Sequence, residues 1–180
     1  SFCTRDGGHR HIHVRRRRKR QRGIRDRICS DHYDKLIIAS GAKVNRKGVL
    51  NAHAQNYFSI RKVAESRQIK TMLADETAKT VAVVGAGFIG LEMLEVLSHY
   101  QKQVLLIQKS DQIFPAFDRD FADQMTTIIK NHGINVYCSA DLKSLTQEHD
   151  RITGIDIEAD GTAIHHPVDM LINAAGIIPN

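Results

Sequence analysis

Thr80-Val-Ala-Val-Val-Gly-Ala-Gly-Phe-Ile-Gly90 is the stretch of this 180-residue chain that decides the fold. Val81-Ala-Val-Val84 is a continuous apolar run, the pattern of a strand covered on both faces. The Gly-x-Gly-x-x-Gly turn follows at once, and residues 91–100 read as a helix with Ile89, Met93, Val96, Leu97 and Tyr100 on one face. Val104-Leu-Leu-Ile107 is the next strand. A strand, a glycine turn, a helix and a second strand within about 30 residues are the context that gives this motif its meaning. Gly85 permits the tight turn, Gly87 lets a pyrophosphate approach bare backbone, and Gly90 lets the helix lie close to the sheet. The helix start then offers unpaired N–H groups and partial positive charge to the phosphates.

Sites for NAD usually carry Asp or Glu at the end of the second strand, to bind the adenosine ribose. Here Gln108 and Lys109 stand there. Gln108 retains hydrogen bonding to a ribose, whereas Lys109 suits a 2′-phosphate or simply solvent. The residues therefore point to NAD(P)H with the choice open.

Further along, Asp118 is an expected N-cap for a helix to residue 131, with Gly133 just beyond its end. Ile134-Asn-Val-Tyr137 reads as a strand. Three alternating runs near 142–146, 151–158 and 162–168 form a meander, with a hairpin signal at Asp160-Gly161. Met170-Leu-Ile-Asn-Ala174 closes the pattern, with Gly176 and Pro179 after it. Upstream, Tyr33-Asp-Lys-Leu-Ile-Ile-Ala39 reads as a buried strand ending at Ser40-Gly41. Residues 43–57 read as a polar connection, and residues 59–73 as a helix with Ile60, Val63, Ala64 and Ile69 inward. The order is that of an α/β fold with a parallel sheet.

Charge is unevenly placed. The net charge of +6 comes from 26 basic and 20 acidic side chains. Residues 1–30 hold 11 Lys/Arg against Asp6 and Asp26, a balance of +9, which leaves −3 for the remainder. A basic body built for nucleic acid is excluded. Arg15, Arg16, Arg17, Arg18, Lys19 and Arg20 form a like-charge block without interleaved aromatics. It is expected to be disordered or foreign to the fold, and a nucleic-acid arm at 10–27 is the competing reading. No apolar run approaches the length of a membrane span, and no signal peptide is evident. Cys3, Cys29 and Cys138 make neither a disulfide framework nor a metal site, so a reducing, cytoplasmic setting is the expectation. The chain opens on Ser1 and stops at Asn180, and it is expected to be part of a longer protein.

Three motifs carry a family likeness. Val84-Gly-Ala-Gly-Phe-Ile-Gly-Leu-Glu-Met93, Tyr33-Asp-Lys-Leu-Ile-Ile-Ala-Ser-Gly-Ala42 and Asn173-Ala-Ala-Gly-Ile-Ile-Pro-Asn180 resemble the FAD-dependent pyridine nucleotide–disulfide oxidoreductases. With Asp111-Gln-Ile-Phe-Pro-Ala-Phe-Asp-Arg-Asp120, they are most similar to the coenzyme A-disulfide reductase and NADH oxidase branch. The likeness covers residues 33–180.

That resemblance implies a Rossmann-like NAD(P)H-binding domain with a β-meander at 75–175. It also implies part of a second, FAD-binding domain and a connecting helix at 31–74, and the start of a return towards that domain at 176–180. Gly85, Gly87, Ile89 and Gly90 would meet NAD(P)H at the glycine turn, and Gln108 and Lys109 would meet its adenosine end. Phe88 would cover the flavin, Glu92 would bind the carboxamide, and Gly176 would supply a backbone contact near the nicotinamide. Ala39, Ser40 and Gly41 would lie near FAD. No catalytic side chain and no metal is implied. The activity implied is hydride transfer from NAD(P)H to FAD and onward to a small disulfide, oxygen or peroxide, in a homodimer. The first FAD-binding glycine motif, the redox cysteine and the later Gly-Asp motif are absent from these 180 residues. The chain alone is therefore expected not to turn over. A non-catalytic NAD(H)-binding module is the alternative.

Overall fold

The computed structural model describes residues 11–15, 28–32, 34–46, 48–50 and 52–180. The chain divides into two units, Ser1–Gly41 and Ala42–Asn180.

In the first unit, strands β1 (His11–Arg15) and β2 (Ile28–His32) pair antiparallel, with His11 opposite His32 and Arg15 opposite Ile28. Sequence reading expected no regular structure in residues 1–30. The remainder of that tract, including most of the arginine block, lies outside the described residues. Residues 34–41 form no strand, which corrects the buried strand expected at 33–39; Tyr33 is outside the described residues. Ile37 and Ile38 are 88% and 78% exposed. An apolar run becomes a buried strand only where neighbouring strands satisfy its backbone, and no described strand pairs with this one.

The second unit is built on five parallel strands in the order β4-β11-β5-β6-β7. These are β4 (Tyr57–Phe58), β5 (Thr80–Val84), β6 (Gln103–Ile107), β7 (Asn135–Tyr137) and β11 (Met170–Asn173). Alternation along the strands splits the core in two. Val81, Val83, Val104, Leu106, Met170 and Ile172 face helices α1 (Val63–Ala74), α2 (Phe88–Ser98) and α3 (Arg119–Asn131). Ala82, Val84, Leu105, Ile107 and Leu171 face the antiparallel meander of β8 (Ala140–Glu148), β9 (Arg151–Ala159) and β10 (Thr162–Pro167). Both faces are thus covered, which is why β5 and β6 read as unbroken apolar runs. Asp160 and Gly161 turn from β9 to β10 with φ of 50° and 75°, the hairpin geometry their sequence signals.

Several helix readings need correction. α1 starts at Val63 and not at residue 59, because Ile60 takes a left-handed φ of 46°. The Glu65 carboxylate accepts from the Arg61 and Lys62 N–H groups at 3.0 and 3.3 Å, so the helix is capped there. Its buried residues are Ile69 and Leu73, while Val63 is 72% exposed. α2 begins at Phe88, three residues earlier than expected. Its buried stripe is Gly90, Met93, Leu94 and Leu97, and Ile89 and Val96 face outward. In α3, Asp118 occupies the N-cap position and Gly133, with φ of 79°, follows the C-cap.

Besides β1 and β2, three short strands were not anticipated, one of them β4, at the end of the stretch read as a polar connection. β3 (Ala42–Val44) pairs antiparallel with β12 (Ile177–Pro179), where a loop and a chain end had been read. Asparagines tie these pieces to the sheet. Asn56, fully buried, donates to the carbonyls of Ile152 and Asp169 and accepts from the Ile152 N–H. Asn173 donates to the Asn45 carbonyl at 2.9 Å and to the Tyr57 hydroxyl at 2.7 Å.

Candidate functional site

The glycine turn leaves the C-terminal end of β5 at the centre of the parallel sheet, where open α/β sheets form a crevice. Gly85 has φ of 102°, and a Cβ there would lie 2.5 Å from the Ala174 carbonyl oxygen. Only glycine fits, because β11 runs directly alongside. Gly90 sits in the first turn of α2 with the Gly85 carbonyl against it, so close that a Cβ would lie 1.9 Å from that oxygen. The helix start is therefore clamped onto the turn. Gly87, the N-cap of α2, differs: a Cβ there would meet nothing within 4 Å. Packing of the protein does not require its bareness; glycine serves there as the N-cap and leaves the backbone open to the cavity.

The peptide units of Ala86 are held from both sides. Its N–H donates to Gln108 Oε1 at 2.8 Å, and its carbonyl accepts from the Phe114 N–H at 2.8 Å. The turn is thus braced by the end of β6 and by the loop before α3. The first N–H groups of α2, which have no carbonyl one turn back to bond, are left at the rim with their partial positive charge.

A cavity of about 520 Å³ opens here. Of the residues singled out in the sequence, Gly85, Gly87, Gln108, Lys109 and Gly176 line it. Asn45, Leu50, Ala140, Asp141, Ala174 and Ala175 also line it and were missed. They arrive from β8, from the end of β11 and from the segment after β3, pairings that leave no local signal. Lys109, 82% exposed at its side chain, is 3.5 Å from Asp141. The cavity size and the bare turn fit the phosphate-bearing part of a dinucleotide.

Phe88, Ile89, Gly90 and Glu92 are not among the lining residues. Phe88 is 70% exposed and packs edge-on against Phe114, ring centres 4.3 Å apart. Glu92 is exposed and falls in the second turn of α2, because the helix starts at Phe88, and so lies beyond the turn where the partial positive charge is concentrated. Ala39, Ser40 and Gly41 belong to the other unit, where they are exposed and Gly41 has φ of 80°. Cys138 is half-buried, and burial pushes its thiol up, away from a reactive thiolate. No group of three or more His, Cys, Asp or Glu able to hold a metal occurs among the described residues. In the Ser144–Asp156–His165 chain the carboxylate stands in the middle and accepts from both neighbours, so the order differs from that of a Ser-His-Asp triad, in which the imidazole bonds the hydroxyl.

Fold and site together define a Rossmann-like α/β dinucleotide-binding protein with an antiparallel meander on one sheet face. Comparison with known proteins narrows this. The family model described as pyridine nucleotide-disulphide oxidoreductase matches residues 8–180, and the chain belongs to that family. The match reaches further towards the N terminus than the 33–180 likeness and takes in the arginine block. An NADH oxidase of Methanocaldococcus jannaschii is 31% identical over 150 residues, covering 83% of this chain and 32% of that protein. A coenzyme A disulfide reductase of Staphylococcus epidermidis is 28% identical over 155 residues, covering 83% and 34%. The solved NAD-dependent persulfide reductase from A. fulgidus superposes with a TM-score of 0.71 at 29% identity, over 84% of this chain and 28% of that one. The chain spans about a third of the length of the curated relatives it matches. No helix among the described residues is long and apolar enough to cross a membrane.

Proposed function

We propose that residues 75–175, with β4 and α1 completing their sheet and core, bind NAD(P)H as the nucleotide domain of a flavin-dependent oxidoreductase, and that the segment from residue 31 up to β4 and residues 176–180 belong to its FAD-binding part. The observation that carries the reading is the contrast among the three glycines. Gly85 and Gly90 are bare because protein backbone fills their Cβ positions, and Gly87 is bare where only the cavity would fill it. Membership of the oxidoreductase family supports the same assignment.

On this reading the pyrophosphate rests on the Gly87 backbone and the first N–H groups of α2. Gln108 and Lys109 take the adenosine end, and Gly176 takes a backbone contact towards the nicotinamide. Phe88, exposed at the helix start, is the residue assigned to cover the flavin, Ile89 stays with the dinucleotide at the turn, and Glu92 is assigned to the carboxamide. The nicotinamide, when bound, supplies the hydride. This chain's own part is to hold the dinucleotide in one orientation. By kinship with the NADH oxidase and the disulfide reductases, the full protein, as a homodimer, would pass electrons from FAD to a small disulfide or to oxygen or peroxide.

The test is a titration of the 180-residue chain with NADH and NADPH, with ADP as competitor, and then the same chain supplied with FAD. Saturable binding that ADP displaces, without flavin-dependent oxidation, is the expected result. No binding would sink the site assignment. Oxidation supported by FAD would sink the expectation that these 180 residues alone do not turn over.

A further inference from the structure

Gln108 follows β6 directly and is 8% exposed. Its side-chain carbonyl is committed inside the protein, accepting the Ala86 N–H at 2.8 Å. Ala86 itself is fully buried. Turning the amide over would place its NH₂ group against that N–H and leave a buried donor unpaired, so the orientation is fixed by the glycine turn. The end of Gln108 that remains for a ligand is therefore Nε2, which donates and cannot accept.

A carboxylate at this strand end recognises ribose hydroxyls by accepting their protons. Gln108 offers the opposite polarity, and the next residue adds an ammonium. Lys109 is paired only with Asp141 among the described residues, at 3.5 Å. Asp141 is also held by Lys143, at 3.4 Å, a cation that it shares with Glu158, at 3.5 Å. An anion that took Lys109 would leave Asp141 with a cation still beside it. Two donors, one of them charged, on a cavity wall match the oxygens of a phosphate monoester.

We infer that this site selects the dinucleotide bearing a 2′-phosphate, NADPH over NADH, through Gln108 Nε2 and the Lys109 ammonium. The inference rests on the dinucleotide reading of the cavity. Gln108 has a double role: it braces the turn with its oxygen and presents a donor with its nitrogen. Because Lys109 is exposed, the preference is largest at low salt and shrinks as salt rises.

The experiment measures equilibrium affinities of the 180-residue chain for NADPH and NADH, with 2′,5′-ADP and 5′-AMP as competitors that isolate the adenosine end. NADPH is expected to bind about tenfold or more tightly at low salt, the scale of one charge-assisted hydrogen bond. Gln108→Glu keeps an acceptor for the Ala86 N–H and adds a carboxylate. It is expected to weaken NADPH by about tenfold and to leave NADH within about threefold. Lys109→Ala, a change at an exposed side chain, is expected to weaken NADPH and 2′,5′-ADP alone, and it carries the test if Gln108→Glu does not fold. Equal or tighter binding of NADH by the unaltered chain, or a ratio that neither variant moves, overturns the inference while leaving the dinucleotide site standing. Binding of neither nucleotide overturns both.

Discussion

Gly90→Ala sets two forces of opposite sign against each other. In a helix, alanine is favoured over glycine by about 1 kcal/mol, so propensity alone predicts a more stable protein. The structure predicts the reverse. The new Cβ would lie 1.9 Å from the Gly85 carbonyl oxygen and 3.1 Å from its carbon. Both are backbone atoms, and Gly85 is itself pinned, with its N–H on the Ile107 carbonyl at 2.8 Å and β11 against its Cα. Relief requires α2 to retreat from the turn by roughly 1 Å, through a core packed at Met93, Leu94 and Leu97. Overpacking of this kind costs about 1–3 kcal/mol, and more where the obstacle is backbone. After the propensity gain, a net loss of about 2 kcal/mol remains, which corresponds to roughly 4–8 °C in Tm for a domain of this size. Thermal unfolding followed by circular dichroism measures it. A variant that melts at or above the temperature of the unaltered chain would refute the close-packing argument.

Two further outcomes follow from the fold. Asn56→Ala orphans the buried Ile152 N–H and frees two carbonyls; urea unfolding should show a loss of about 2–4 kcal/mol, and a loss below about 1 kcal/mol would contradict the bridging role. Glu65 feels burial, which pushes its carboxyl up, but the hydrogen bonds from Arg61, Ser59 and Lys62 outweigh it and hold the group below its usual value of 4.5. Because the folded-state value is depressed, its contribution is full above the unfolded value and is lost as pH falls from about 4.5 downward. Glu65→Gln should therefore flatten part of the acid limb of a Tm-versus-pH curve, by less than about 1 kcal/mol given solvent screening. Parallel curves for the two proteins between pH 7 and 3 would contradict it.

What could be read from the chain was what its local chemistry demands. A strand buried on both faces needs an unbroken apolar run, and Val81 to Val84 shows one. A turn with φ of 102° beside another strand needs glycine, and Gly85 is one. Asp160-Gly161 and Gly133 announced their turns for the same reason. The failures share a different cause. Leu36, Ile37 and Ile38 report a wish for burial but not which strands would satisfy it. β3 and β12 are three-residue pieces whose pairing spans more than 130 residues of sequence, so neither shows a pattern of its own. The helix starts moved because Ile60 and Gly87 adopt backbone conformations that hydropathy spacing does not encode. At the site, the glycines were visible, whereas the bond from Ala86 to Gln108 and the arrival of Asp141 from β8 depend on tertiary packing. Gln108 was legible as a departure from a carboxylate, but its orientation was not.

The central claim is that the turn at residues 85–90 receives the pyrophosphate of a nicotinamide dinucleotide, and Gly87→Ala tests it most directly. The added methyl meets no protein atom within 4 Å, and φ at Gly87 is −87°, open to alanine. Tm should fall by no more than about 4 °C, since no packing resists the change and only the poorer N-cap quality of alanine, about 0.5–1 kcal/mol, counts against it. The account predicts that the Kd for NADPH then rises by about tenfold or more, because the methyl stands between the phosphates and the backbone. An unchanged Kd, with the fold intact, would contradict it.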